Sequence, residues 1–337
     1  MRRGYFLLIF LICTGSAFAQ PYVLTKDDRQ IIENFQVLPD RNYSFEKIIS
    51  DSSLLFTTNP LLYNFKENKA YWVRFTIENP FRNTQDYYVS VFPFIDNLFY
   101  YYDKDANKWQ KIRSGLVKSD NTRNYSHFPI TVYNNSKESF YALVSLNALA
   151  KFKDSTHLRL RLYKAAVINA DEQQSRVFWI GTLVIIFILF LYNLYTWFVF
   201  KDRAFLYYLL ILTGSALYLT ALKRHLNLLT SFRWFHVQLT KEGYTFYYDL
   251  ASILTNLAIL LILTGFIQFT RNYLQTKVTL PKYDSILKYG NALFSLIVLL
   301  VTLSGIMVDG YTPVYAHLIM NSFTVVLIFL IIWVGIV

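Results

Sequence analysis

The sequence predicts a multi-domain membrane protein: an extracytoplasmic all-β, jelly-roll-like sandwich followed by an α-helical transmembrane bundle. Three observations predict it. Charge is unevenly split: residues 20–176 hold 21 basic and 17 acidic side chains, residues 177–337 only 10 and 5. Five apolar runs in the second half each exceed the roughly 18 residues at which a segment reads as crossing a bilayer. The first half instead alternates apolar and polar residues in short runs bounded by turn-formers, the pattern of half-buried strands. Only 16% of the chain is charged, against about 25% in soluble domains, so two solvents explain the composition better than one large core.

Residues 1–19 have the three parts of an export signal. Arg2 and Arg3 are the positive start, residues 5–12 the apolar centre, and Ala17-Phe18-Ala19 a small-x-small cleavage site before Gln20. Export places the sandwich outside the cytoplasm. The single cysteine, Cys13, lies inside this leader. The mature chain therefore makes no disulfide or thiolate metal site of its own. Ile12 stands where a lipoprotein signal needs a small residue, which argues against lipid attachment at Cys13.

Residues 20–164 read as the sandwich. Tyr71-Trp72-Val73-Arg74-Phe75-Thr76-Ile77 alternates, then stops at Asn79-Pro80. Residues 86–92, 98–102, 126–132, 139–146 and 158–163 repeat the style, separated by turn-prone clusters at 103–107 and 134–136. Several short strands at near-regular spacing suggest two packed sheets. Residues 22–68 have weaker periodicity and suit short helices or covering loops. Aromatic residues crowd this half. Alternation puts Tyr100 and Tyr102 on one face and Tyr101 on the other, so one face needs a cover other than the core. Exposed aromatic faces stack on sugar rings while nearby polar groups bind hydroxyls; alternate aromatics also fill sandwich cores. The candidate ligand residues are Trp72, Arg74, Tyr100, Tyr101, Trp109 and Arg123. Arg123 sits beside Asp120 in the 114–125 loop, where it suits an anionic or hydroxylated ligand or a surface ion pair.

A charged juxtamembrane linker, 165–176, precedes five expected spans at 177–200, 204–222, 248–269, 287–308 and 314–337. Lys201-Asp202-Arg203 separates the first two, a basic stretch broken by Pro281 the third and fourth, and Asp309-Gly310-Tyr311-Thr312-Pro313 the last two. Tyr and Trp gather near the ends, as in an interfacial belt. The loops carrying Lys201 and Arg203, then Arg271, Lys277 and Lys282, are basic and belong inside. The mixed 223–247 loop, with Lys223, Arg224, Arg233 and Lys241, dissents in part, and the export signal outweighs it. The last span then ends in the cytoplasm of an inner-membrane protein. Asn193, Asn256, His317 and Asn321 are the notable polar residues within spans; such groups bond neighbouring helices or line a pathway. The terminal Asp249 is the only acid in the five spans, which argues against a proton-coupled transporter.

No phosphate loop, His-Glu-x-x-His zinc motif, Gly-x-Ser-x-Gly elbow or glycine-rich dinucleotide fingerprint occurs. The five histidines are scattered. No enzyme, metal or cofactor is expected of this chain. The net charge of +11 is spread over leader, sandwich and spans without a dense basic patch, which argues against nucleic acid. The partners left open are the lipid bilayer, a carbohydrate or other small molecule, and a second copy in a homodimer.

Two stretches resemble a known family. Trp72 to Pro80, then Phe94-Ile95-Asp96-Asn97-Leu98-Phe99-Tyr100-Tyr101-Tyr102, Gly115 and Arg123 are similar to the type-2 extracellular domain of the bacterial seven-transmembrane receptors with diverse intracellular signalling modules (7TMR-DISM). In the membrane half, Tyr192-Asn193-Leu194-Tyr195 leads into Lys201-Asp202-Arg203-Ala204-Phe205-Leu206-Tyr207-Tyr208, which resembles the family's junction between its first two helices. Residues 269–274 and 280–284 resemble its next inner loop. The resemblance implies a sandwich related to carbohydrate-binding modules and a role in signal reception. It also implies two more helices and a cytoplasmic output module beyond Val337, where the chain stops within an apolar run. The competing expectations are a transporter or enzyme with an accessory sandwich, and an envelope assembly module.

Overall fold

The computed structural model describes residues 20–336 apart from 61, 65–66, 118–125, 150–154, 223, 231, 233, 241–242 and 308–311. The expected leader, 1–19, lies outside the described residues. In the first half the chain forms β1 (Tyr22–Val23), β2 (Arg29–Ile32), β3 (Phe35–Pro39), α1 (Phe45–Ser50), β4 (Thr57–Thr58) and β5 (Tyr63–Asn64). The longer strands come next: β6 (Ala70–Glu78), β7 (Gln85–Phe92), β8 (Asp96–Asp103), β9 (Lys108–Ser114), β10 (His127–Val132) and β11 (Lys137–Ser145). The short β12 (Ser155–Thr156) and then β13 (Arg159–Lys164) close this half.

Most of these strands make two facing sheets, while β5 and β12 pair separately. One has the order β4-β3-β6-β11-β8-β9, with β1 alongside β6; the other runs β10-β7-β13-β2. Alternation decides the inside. Val73, Phe75 and Ile77 of β6, Phe99 of β8 and Ala142 and Val144 of β11 meet Val89, Val91, Phe128, Leu160 and Leu162 of the other sheet in one buried cluster. The six expected strands are all present. The expected turns carry Asn107 and Asn135 with φ of 49° and 47°, a conformation in which asparagine is enriched among non-glycine residues. The sequence reading missed β9. Its inward positions are Gln110, Ile112 and Ser114, opposite Tyr101, Phe99 and Asn97, so an edge strand with one large apolar residue has little periodic signal. Lysine and arginine on such an edge also discourage pairing with a second chain.

The expected linker is helical. β13 passes directly into α2 (Ala165–Phe200), so 165–176 forms the first three turns of a 36-residue helix. At 1.5 Å per residue it is about 54 Å long, well beyond the roughly 30 Å hydrocarbon layer. Its first turns therefore stand clear of lipid and touch the sandwich, where the Tyr88 hydroxyl donates to Asn169 Oδ1 at 3.1 Å. Lys201, in a left-handed conformation, ends it. α3 (Arg203–Leu222) returns across the membrane and is followed by the one-turn α4 (Leu226–Leu229).

The 223–247 segment is more than a loop. It contains a hairpin of β14 (Phe235–Leu239) and β15 (Thr245–Asp249), and Tyr248 belongs to this strand instead of the following span. α5 (Leu250–Tyr273), one-turn α6 (Thr276–Thr279), α7 (Pro281–Met307) and α8 (Thr312–Ile336) complete the chain. α5 starts at a capping box: the Asp249 carboxylate accepts from the Ser252 N–H at 2.9 Å. Pro281 opens α7 instead of merely breaking the inner loop; a first helical position has no use for its missing N–H. Five helices are long and apolar enough to cross a membrane. α3 and α5 run antiparallel and close together. A Cβ on Gly214 would lie 2.7 Å from Ile262 Cγ1, and one on Gly265 2.7 Å from Ile211 Cγ1. Small residues let helix backbones approach where lipid supplies no hydrophobic drive.

Candidate functional site

The outer face of the larger sheet collects the sequence-predicted residues. Strand register aligns Gln36, Arg74, Tyr141, Tyr100 and Lys111 across β3, β6, β11, β8 and β9. The next row carries Leu38, Trp72, Leu143 and Leu98. This is the aromatic face that needed a cover, and α1 covers part of it. Ser44 caps α1 by accepting from the Lys47 N–H at 3.3 Å, which sets Phe45 down on the sheet. The Phe45 ring stacks on Tyr100 with centroids 4.1 Å apart, and meets Trp109 and Tyr141 edge-on at 5.0 and 5.8 Å.

The candidates divide accordingly. Trp72 is 1% exposed, and its indole N–H donates to Asp40 Oδ1 at 2.9 Å; it is core beneath α1 and presents no free ring. Tyr101 points the other way, stacks on Phe99 at 6.5 Å and packs against the main core. Tyr100, Trp109 and Arg74 remain half-buried on the outer face. Arg74 donates to Gln36 Oε1 through Nε and Nη2 at 3.1 and 2.6 Å, and lies 4.3 Å from the centre of the Phe56 ring. Burial first, then the nearby Glu46 carboxylate, pushes the Tyr100 hydroxyl above its ordinary range. Tyr102 is 40% exposed at the rim, edge-on to Trp109 at 5.6 Å. The surface is therefore a partly open aromatic shelf beside one oriented guanidinium. Arg123 and Asp120 lie outside the described residues.

Several residues in the family-like stretches turn out to organise backbone. The Asn79 amide donates to the carbonyls of Asn83, Val132 and Tyr133, while its oxygen accepts from the Phe81 N–H at 2.9 Å. Asn97, fully buried, donates to the Val91 and Pro93 carbonyls at 3.0 Å. Gly115 has φ +121°, and a Cβ there would meet the Ile95 carbonyl oxygen at 2.4 Å.

The second notable region joins sandwich to helices. Val237 and Leu239 of the hairpin are 2% and 0% exposed, inside the same cluster as the sandwich core. The Tyr247 ring packs on Phe92 and Phe94, with centroids 6.3 and 4.7 Å away. Thr156 Oγ1 donates to the Gly243 carbonyl at 3.1 Å, and Arg159 stands over the Tyr244 ring at 4.6 Å. Desolvation drives the Tyr247 hydroxyl far above its ordinary range. Sequence reasoning took 223–247 as a loop: Phe235-His236-Val237-Gln238-Leu239 does alternate, but the strands are only five residues each and lie in a segment read for its basic residues. The contact puts 235–249 on the sandwich side of the helices, despite the basic residues of that loop.

Of the polar residues within spans, Asn193 donates to the Leu189 carbonyl of its own helix at 2.7 Å. Asn256 joins elements, donating to Tyr248 Oη and Thr302 Oγ1, both at 3.0 Å. Asn256, His317 and Asn321 line one cavity at the outer end of the bundle. At the inner end, Arg271 holds Asp284 through two bonds of 2.8 and 3.1 Å, Thr276 Oγ1 donates to the same carboxylate at 2.7 Å, and Asn272 reaches Asp202 at 3.3 Å. The two inner family-like stretches thus touch each other.

Residues 32–152 match the family described as 7TMR-DISM extracellular 2. No curated protein matches the chain. Among solved structures, a β-glucosidase from Kluyveromyces marxianus in complex with glucose is similar at 14% identity and a TM-score of 0.25. The overlap covers 42% of this chain and 18% of that one, too slight to bear on fold or function. The matched segment runs from the last residue of β2 to beyond β11, about a third of the chain, and five helices long and apolar enough to cross a membrane come after it: what is similar to the 7TMR-DISM extracellular 2 family is the greater part of the sandwich.

Proposed function

We propose that the chain is the receiving part of a membrane receptor. The observation that carries this reading is the hairpin: one peptide segment completes the sandwich core through Val237 and Leu239 and then becomes the first residue of α5. A ligand that shifts the sandwich therefore has two stiff connections inward, β13 into α2 and β15 into α5. For that shift to signal, the ligand must bind two helix arrangements with different affinity. The ligand site is the aromatic shelf of Tyr100, Tyr102 and Trp109 with Arg74, chemistry suited to a carbohydrate ring and its hydroxyls. The leader is removed on export, the chain resides in the inner membrane, and α8 ends in the cytoplasm, where an output module receives the change. Both family-like inner stretches support that direction, since they are basic and meet at one end of the bundle.

The test is titration calorimetry of the full protein in detergent against a glycan panel. Saturable binding is expected, weakened roughly tenfold by Tyr102→Ala, the exposed ring at the rim of the shelf. Folded protein that binds no glycan overturns the carbohydrate reading. Bound glycan that leaves hydrogen exchange in β14, β15 and the first turn of α5 unchanged overturns the coupling.

A further inference from the structure

The outer face of the smaller sheet descends to the membrane alongside α2. Alternation turns Leu160 and Leu162 of β13 inward, both 0% exposed, and so turns Arg159, Arg161 and Tyr163 outward. Strand register sets Tyr163 beside Tyr88, Arg161 between Ser90 and Ile31, and Arg159 beside Phe92. α2 runs back over the same face, antiparallel to β13. Its Asn169 is bonded to Tyr88, in the Tyr163 row. One turn lower, Glu172 is close enough to His127 to act on its charge, and His127 pairs with Ser90 in the Arg161 row.

The helix converts these rows into heights. The lipid-facing surface begins at Val177 and Phe178, each 67% exposed. At 1.5 Å per residue Glu172 stands about 8 Å above Val177, and the Arg161 row stands with it. Arg159, two strand residues further down, stands about 7 Å nearer the lipid. Headgroups fill roughly 5–8 Å on each side of the hydrocarbon. The two arginines therefore bracket the headgroup layer, with Arg161 at its top and Arg159 at its base. Neither has an acid to pair with. The residues paired with them in these rows are Phe92, Ser90 and Ile31, and neither makes an ion pair among the described residues. Glu172, the acid of α2 at this height, is bonded to Arg176 at 3.7 Å. Arg159 stands over the Tyr244 ring at 4.6 Å, a contact that uses the face of the guanidinium and leaves its N–H edges for other partners. Arg161 is exposed.

We infer that the foot of the sandwich docks anionic phospholipid of the leaflet on its own side, with the phosphate of a phosphatidylglycerol headgroup held by Arg159 and Arg161. Guanidinium forks match phosphate oxygens in shape and charge, and a headgroup layer is where such phosphates are found. The site is distinct from the aromatic shelf, which lies on the outer face of the other sheet. It also gives a reason for the basic residues that the 223–247 segment keeps on this side of the membrane, since anionic lipid attracts them. Because β13 runs straight into α2, lipid charge at this foot acts on one of the two connections between sandwich and bundle.

The experiment replaces Ile31, which is 58% exposed and opposite Arg161, with photoreactive p-benzoylphenylalanine in the full protein. Nanodiscs hold equal amounts of phosphatidylglycerol and phosphatidylcholine, and lipid adducts are counted by mass spectrometry after illumination. Phosphatidylglycerol adducts are expected to outnumber phosphatidylcholine adducts roughly fivefold. Arg159→Gln with Arg161→Gln is expected to bring the ratio near parity. Lys277→Gln with Lys282→Gln, at the other end of the bundle, is expected to leave it unchanged. Should the arginine substitutions not fold, salt decides with both arginines in place: about 0.5 M sodium chloride is expected to cut the preference by half or more, and a preference that salt leaves intact overturns the proposal. Parity with both arginines present means lipid without selection and overturns it. Absence of lipid adducts places the face clear of the headgroups. Loss of the preference to inorganic phosphate, at ionic strength matched with chloride, assigns the arginines to a soluble phosphate. Either result overturns it too.

Discussion

A few side chains have effects out of proportion to their size. Gly115 is one: its φ of +121° and the Ile95 carbonyl 2.4 Å from where a Cβ would sit leave room for no other residue. Gly115→Ala is expected to destabilise the sandwich by about 3 kcal/mol, seen as faster limited proteolysis of residues 20–164 in the full protein; an unchanged cleavage rate sinks the account. His127 is another. Its ring lies among Tyr88, Tyr163 and Ser126, beside the start of α2. Burial pushes its imidazole below the ordinary histidine value, and Glu172 pulls part of the way back. A depressed folded value means the unfolded chain binds the proton more readily. The stability contributed is therefore complete above the ordinary value of about 6.5 and is lost as pH falls through the lower folded value, at up to about 1.4 kcal/mol per pH unit. Thermal melts between neutral and mildly acid pH are expected to show this loss, and His127→Gln to flatten it. Equal acid sensitivity of both proteins assigns the loss elsewhere.

At the scale of elements, the hairpin and the α3–α5 pair matter most. The hairpin has one face in the sandwich and the other over the helices, so each face is open to separate disruption. Val237→Asp puts a carboxylate into an apolar core, at a cost of several kcal/mol. The strands are expected to leave the sandwich, with hydrogen exchange rising in β14 and β15 while the helices stay protected; unaltered exchange there removes the hairpin from the coupling path. The α3–α5 contact rests on missing side chains. Gly265→Val meets Ile211 Cγ1 and, at 3.0 Å, the Tyr207 carbonyl oxygen. The helices are expected to separate at a cost of about 1–3 kcal/mol, read as a lower melting midpoint in detergent. An equal effect from valine at Gly181, where a Cβ meets nothing within 4 Å, would refute close packing as the cause.

For the whole molecule, legibility depended on how local the cause of each feature is. Alternation in β6, β7, β8 and β11 and the apolar runs of five spans are local, so strands and spans could be located from the chain alone. So could the two-faced placement of Tyr100 and Tyr101. α1 could not, because six residues with one cap carry little periodicity and the helix is held by Phe45 on a sheet built from distant strands. That helix turned Trp72 from a candidate contact into core. Asn79 and Gly115 were visible as parts of a familiar pattern, but their roles depend on carbonyls far along the chain. The sequence by itself determined two solvents, one sandwich and five crossings, because burial patterns repeat within a few residues. Only the tertiary structure decided that a short hairpin after α3 enters the sandwich core and roofs a chamber in the bundle, because that contact joins segments about 150 residues apart, from Val89 to Leu239, and no local periodicity encodes it.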